Sequence, residues 1–230
     1  MPTYKQEIHI PAGTRMVPAD LVIPGNADCI VIFSHAGANS RLNRLNQAVA
    51  EQLQKAGIGT LMPDLLSEDE LARSREFDIG LLTQRLSTVT KWLKDRDLFG
   101  HYRLGYYATT TGAASALQAA AGLDTTIGAI VCRGGRPDLV REALPEIGSP
   151  VLFIVGSLDR YVLQLNREAL ETLSGEKKLS VVQGATHFFD EEKIKEVAGH
   201  AIVWFKAHLT GCCSTSSGAS QGIHRTTRSQ

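Results

Sequence analysis

A hydroxyl at a tight strand-to-helix turn, an acid after a later strand and a histidine after the last one are the parts of a nucleophilic relay. This chain carries candidates in that order: a threonine among Thr109, Thr110 and Thr111, then Asp159, then His187. Each type has its own task. The hydroxyl attacks a carbonyl carbon, the imidazole takes its proton and later hands it to the leaving group, and the carboxylate fixes the tautomer and stabilises the imidazolium. Thr110 sits in the run Ala108-Thr109-Thr110-Thr111-Gly112, Asp159 closes Gly156-Ser157-Leu158-Asp159, and His187 closes Gln183-Gly184-Ala185-Thr186-His187.

Each residue also has a plainer reading. Asp159 precedes "YVLQLNREAL" and suits a helix N-cap, and His187 suits a cap or a core position. Thr110 admits three readings: a working nucleophile activated by His187, a remnant in a silent fold, or a structural turn residue with Thr109 or Thr111 at the apex. Ser34 precedes a loop and Ser115 lies a turn into a helix, so neither occupies an elbow. Arg133 follows an apolar run, where a guanidinium reaches a pocket rim to recognise a carboxylate or else braces the Gly134-Gly135 loop. Arg41 and Arg44 read as solvated helix-start residues that could also receive an anion.

These residues must be positioned by strands and helices, and the pattern supplies both. Short apolar runs alternate with longer segments of helical period, as expected for strands joined by helical crossovers in a mostly parallel α/β sheet. Strands are expected near Gln6–Ile10, Asp20–Ile23, Cys29–Ser34, Gly59–Met62, Arg103–Tyr107, Ile127–Cys132, Val151–Val155 and Leu179–Val182. The first two alternate and precede any helix, which predicts an antiparallel edge. "CIVIFS" and "VLFIVG" are continuously apolar, like strands covered on both faces. Leu82, Leu86, Val89 and Leu93 form the apolar stripe of a helix over about Phe77–Leu93. Further helices are expected over Leu45–Lys55, Gly112–Ala121, Leu163–Leu173 and Glu191–Leu209. In such sheets ligands bind outside the carboxyl ends of the strands, which is where all the residues named above fall.

Composition excludes several classes. With 24 Lys and Arg against 24 Asp and Glu, the chain lacks the basic excess expected of a nucleic-acid or anionic-membrane binder. The apolar runs are far shorter than the roughly 18 residues a membrane span needs. The polar opening Met1-Pro2-Thr3-Tyr4-Lys5 has no signal core, so a cytoplasmic address is expected. Cys29 and Cys132 fall in apolar runs and read as buried thiols, with no metal-ligand spacing. Gly134-Gly135 lacks any phosphate-loop frame, so nucleotide binding is unsupported. A single domain over residues 1–209 is expected. The tail from 210 to 230, "TGCCSTSSGASQGIHRTTRSQ", is too polar to offset its ordering entropy and reads as disordered, with Cys212 and Cys213 incidental to it.

The span from Lys5 to Leu209 resembles the α/β-hydrolase superfamily, in its dienelactone-hydrolase-like branch. The likeness rests on "FSHAGANSR", "LMPDLLSEDE", "LGYYATTTGAASAL", "VCRGGRPDL", "LFIVGSLDRYV" and "VVQGATHFFDE". It implies an α/β-hydrolase fold with an eight-stranded, mostly parallel sheet and no large cap domain. It implies Thr110 as nucleophile, Asp159 as acid and His187 as base. The backbone N–H of Thr111 and one from Ala36 or Gly37 would form the oxyanion hole. His35 looks like the His of a His-Gly dipeptide with Ala in the Gly place; it either braces its loop or joins Arg133 in binding substrate. The family places Ser or Cys where this chain has Thr110, a residue whose β-branch is unfavourable at the positive φ of an elbow. The implied activity is hydrolysis of a small ester or lactone with no metal or cofactor and no nucleic-acid or membrane partner; the alternative is a catalytically silent scaffold that binds a small molecule or a protein.

Overall fold

The computed structural model of the chain describes residues 3–73 and 78–210. Eight strands form one sheet: β1 (Tyr4–Ala12), β2 (Arg15–Ile23), β3 (Cys29–Ser34), β4 (Gly59–Pro63), β5 (Arg103–Thr109), β6 (Ile127–Arg133), β7 (Val151–Gly156) and β8 (Lys177–Val182). Their order is β1-β2-β4-β3-β5-β6-β7-β8. β1 and β2 pair antiparallel, β2 pairs antiparallel with β4, and the strands from β4 to β8 are parallel. The expected antiparallel edge is therefore present. Every expected strand is found, most of them running one to five residues beyond the expected ends.

Six helices join the strands: α1 (Arg44–Lys55), α2 (Glu68–Arg73), α3 (Ile79–Lys94), α4 (Thr111–Gly122), α5 (Arg160–Thr172) and α6 (Glu191–Leu209). A run of 3-10 turns over Pro137–Glu146 stands where a longer crossover helix would be, because Pro145 and the non-helical Val140 break the pattern. α1 and α6 cover one face of the sheet, while α3, α4 and α5 cover the other. β3 and β7 are buried along their whole length, as their unbroken apolar runs require. The stripe Leu82, Leu86, Val89 and Leu93 is fully buried under α3. The short crossovers leave no room for a large cap over the carboxyl edge.

Besides α5, three helices start at side chains suited to the task. The Asn43 side chain accepts from the backbone N–H of Leu45 and Asn46, Asp78 from Leu81, and Asp190 from Lys193. α2 was not expected from the sequence; Glu70 fixes it by accepting from Arg85 and Arg15. The helix expected from Phe77 begins at Ile79, and Phe77 itself lies outside the described residues, as does the expected tail beyond Thr210. No helix among the described residues is long and apolar enough to cross a membrane.

Candidate active site

The turn after β5 is sharp because of Thr110, which takes φ 49° and ψ −124° before α4 begins. Only three described residues other than glycine have positive φ: Asn39, Thr110 and Phe189. All three lie at the carboxyl edge, one in each of the loops that follow β3, β5 and β8. A β-branched residue held there stores strain of order 1–3 kcal/mol, which persists only where the surroundings over-determine it. They do so here. The Thr110 N–H donates to the Arg133 carbonyl at 3.3 Å, and the Arg136 N–H donates to the Thr110 carbonyl at 3.2 Å. Gly112 lets α4 press against the end of β3, since a Cβ there would lie 2.5 Å from the Ser34 carbonyl oxygen. The Ser34 and Ser115 hydroxyls, 2.9 Å apart, bond across that contact, which gives both serines structural work away from the apex. Thr110 does not cap α4 with its side chain, so the first N–H groups of that helix are left uncapped by it.

Asp159 and His187 come together because the turns after β7 and β8 are laced to each other. The N–H of Ser157 donates to the Val182 carbonyl and that of Leu158 to the Ala185 carbonyl. The Ser157 hydroxyl accepts from the Gly184 N–H. Gly156 lets the two turns approach, since a Cβ there would lie 2.3 Å from the Ala185 carbonyl oxygen. Held this way, Asp159 Oδ2 lies 2.7 Å from His187 Nδ1, while Oδ1 accepts from the Val162 N–H at 3.4 Å. One oxygen caps α5, as the cap reading expects, and the other meets the imidazole of His187. The Cβ position of Gly134 is 3.5 Å from His187 Cε1 and Nδ1, so the loop after β6 that clamps Thr110 also abuts the histidine. The Thr110 hydroxyl makes no side-chain hydrogen bond to His187 among the described residues, a gap common before substrate arrives.

The loop after β3 is braced from two sides. His35 Nδ1 is 2.6 Å from Thr109 Oγ1. Burial, assisted by the positive charge of Arg133, pushes the His35 imidazole down to about 4, so it stays neutral at physiological pH. Further along, the buried Asp64 accepts from the Arg41 N–H at 3.1 Å and from Arg41 Nε at 2.8 Å, and the Ser40 hydroxyl donates to the Pro63 carbonyl. Arg41 also reaches Asp20 and Glu7. The expectation of a solvated Arg41 is therefore wrong: it lies under the loop and is matched by three carboxylates. Nothing in its sequence neighbourhood signalled this, because all three partners are distant in the chain. Between these anchors lie Ala36, which is buried, and Gly37; they follow the Ser34–His35 end of β3 against which Gly112 of α4 packs.

Arg133 is 7% exposed and its guanidinium lies 5.7 Å from the Phe189 ring centroid. Of the two readings the sequence left open, the open rim is not where it lies; it sits beneath the histidine loop, against Phe189. Clefts of about 620 and 770 Å³ lie elsewhere, one around Glu7, Asp20 and Arg41 and the other around Trp92 and Phe99; neither is lined by Thr110, Asp159 or His187. Around Asp159 and His187 the surface is instead open and apolar, with Leu158, Tyr161 and Phe188 all more than half exposed. Among the described residues no three His, Cys, Asp or Glu side chains form a metal cluster.

A parallel sheet with an antiparallel edge, a strained elbow after its fifth strand and an acid–histidine pair after its last two defines an α/β-hydrolase. The comparisons narrow the class. No family model matches the chain. The crystal structure of a dienelactone hydrolase from Anabaena variabilis superimposes with a TM-score of 0.87 and 39% identity, over 91% of this chain and 100% of that one. This chain therefore belongs to the dienelactone-hydrolase-like branch of the α/β hydrolases. A cold-adapted esterase from an Arctic intertidal metagenomic library, with TM-score 0.74 and 17% identity over 91% of this chain and 96% of its own, shares the fold. So does a lidless α/β serine hydrolase of Xanthomonas campestris, with TM-score 0.74 and 19% identity over 92% and 98%. Two Mycobacterium tuberculosis proteins that bear the provisional name phosphoribosyl transferase are 42% identical over 212 residues. This chain spans about half of their length, 48% against 91% of its own.

Proposed function

We propose that the chain hydrolyses small carboxylic esters or lactones through Thr110 as nucleophile, His187 as general base and acid, and Asp159 as the group that orients the imidazole. The observation that carries this reading is the 2.7 Å bond from Asp159 to His187 Nδ1, which leaves Nε2 as the nitrogen free to serve the strained Thr110. The imidazole takes the Thr110 proton as the hydroxyl attacks, and the backbone N–H of Thr111 with one from Ala36 or Gly37 receives the oxyanion. His35, fixed by Thr109 and neutral, holds that loop in place, and the exposed Leu158, Tyr161 and Phe188 offer an apolar surface to the remainder of the substrate.

The phosphoribosyl-transferase name belongs to proteins twice this length and is a separate proposal for the present chain. The triad geometry lies within the portion that matches them, which favours hydrolysis as the activity of this portion. One observation favours a silent scaffold: Thr110 is β-branched at φ 49°, where Ser or Cys is less strained. Labelling with a fluorophosphonate and mapping the adduct separates the two. Modification of Thr110, with turnover of short-chain aryl esters, supports the hydrolase; modification elsewhere, or none together with no turnover, removes it.

A further inference from the structure

Arg133 differs from every other half-buried or buried arginine described. Arg41 is met by Asp64, Asp20 and Glu7, Arg85 by Glu70, Arg136 by Asp138 and Arg15 by Glu70. Arg133 is as buried as Arg85, yet among the described residues its guanidinium has no carboxylate within 4 Å and no hydrogen bond, and its Nη1 is wholly enclosed without a partner. A buried cation left this way is costly and is retained only where something else requires it.

Its place in the fold says what requires it. Arg133 ends β6 directly opposite Thr109, its register partner on β5, and Thr109 bonds His35 at the end of β3. The three side chains form a row on the α1/α6 face, one residue below the elbow, with Phe189 against the guanidinium. The Arg133 carbonyl receives the N–H of Thr110 itself. His35, the neighbour along the row, feels the charge, which adds to burial in keeping it neutral. An unpaired positive charge thus lies one residue below the elbow, where the proposed reaction would put negative charge on the carbonyl oxygen.

We propose that Arg133 is a positioning charge for acyl transfer, left without a counter-ion because its counter-charge is the negative charge that forms on the substrate carbonyl oxygen during attack. The proposal rests on the hydrolase reading above. As Thr110 Oγ1 bonds the carbonyl carbon, its proton passes to His187 and the carbonyl π pair moves onto oxygen. On collapse the C=O re-forms, the ester C–O bond breaks and the alcohol leaves with the proton from His187; water then repeats the sequence and releases the acid. A charge that meets a partner only in the transition state acts on kcat and not on ground-state binding. The substrates this arrangement favours are accordingly esters with a neutral acyl group, not ones that bring a carboxylate to Arg133.

Replacement by an apolar side chain of similar length is the test. Arg133→Met is expected to lower kcat on neutral 4-nitrophenyl acetate about tenfold to a hundredfold, less than the loss of a contacting oxyanion donor. KM should stay within about twofold, and the melting temperature should rise because an unpaired buried charge is gone. Arg133→Lys, which keeps the charge, is expected to recover most of kcat. Unchanged kcat in Arg133→Met overturns the proposal. So does a loss confined to KM for anionic esters, which makes Arg133 a substrate anchor. A lower melting temperature or a failure to fold also overturns it, as that is what a structural arginine shows. Wild-type protein with no ester turnover removes the hydrolase reading itself, a result distinct from an active wild type with an indifferent Arg133→Met.

Discussion

At the ends of β7 and β8 each group that must be held is held by bonds of ordinary geometry: the two turns exchange backbone hydrogen bonds, Ser157 closes one onto the other, and Asp159 divides its oxygens between α5 and His187. At the ends of β3, β5 and β6 the same sheet carries a β-branched residue at positive φ, a neutral half-buried histidine and an unpaired buried arginine. Both regions are well packed, yet the acid–base arm is satisfied and the nucleophile arm is strained. The difference teaches where this fold stores its cost. The β-branched strain and the unpaired charge collect on the side where the proposed reaction would develop charge; the side that orients the ring carries a positive φ only at Phe189, which has no β-branch.

If the acid–base arm works as its geometry indicates, its loss is the largest effect available. His187→Ala is expected to lower kcat on short aryl esters about 10³-fold or more, with the fold intact by circular dichroism. A loss under tenfold would show that the imidazole does not move the proton. Next in size is the packing that assembles each arm. Gly156→Ala places a methyl 2.3 Å from the Ala185 carbonyl oxygen and Gly112→Ala places one 2.5 Å from that of Ser34. Each neighbour is backbone and cannot swing away, so each substitution is expected to cost about 3 kcal/mol in denaturant titrations. Gly156→Ala should also weaken the Asp159–His187 bond, whereas Gly112→Ala should distort the elbow; equal effects of both on the NMR signal of the His187 Nδ1 proton would erase the distinction between the arms.

The sheet was legible because each strand is either a continuous apolar run or an alternating edge, and Asp159 and His187 were legible because they close turns at fixed places in that series. The burial of Arg41 and Arg133 was not. Their surroundings are set by partners far along the chain, three carboxylates in one case and the ring of Phe189 in the other, and no local spacing encodes such a meeting. α2 was missed for the same reason: six residues have little helical signal of their own, and the segment is held by Arg85 and Arg15 through Glu70. The two partners of Asp159 show a further limit: cap and triad acid read as alternatives in the sequence, although a carboxylate has one oxygen for the helix and one for His187.

A smaller effect distinguishes the arms by pH. His35 has a folded-state pKa pushed down to about 4 from 6.5, chiefly by burial and then by Arg133. The folded protein therefore binds a proton less readily than the unfolded chain, so this contribution to stability is complete above pH 6.5 and falls away as pH drops from 6.5 to 4. The loss is at most about 3 kcal/mol. Glu70, held down to about 2 by its bond to Arg85, loses its contribution in a lower window, between its ordinary value near 4.5 and 2. Chemical denaturation across pH 7 to 4 should show the first loss, and His35→Gln should flatten it without touching the second. Arg133→Met should reduce it only in part, since burial is the larger cause; a profile that His35→Gln leaves unchanged would place the titrating group elsewhere.

The smallest expected effect bears most directly on the contrast between the arms. Thr110→Ser keeps the hydroxyl and removes the branch that makes φ 49° unfavourable. If strain on the nucleophile side is a cost borne by the native sequence, the variant should be more stable by about 1 kcal/mol and should attack as a less hindered primary alcohol. An increase in kcat of about threefold to tenfold would follow from about 0.7–1.4 kcal/mol of barrier. Stability that rises while activity appears for the first time would mean that Thr110 silences an otherwise complete site. Stability that falls would mean that the methyl group contributes packing worth more than the strain it causes, and the elbow would then belong with the satisfied arm of the site.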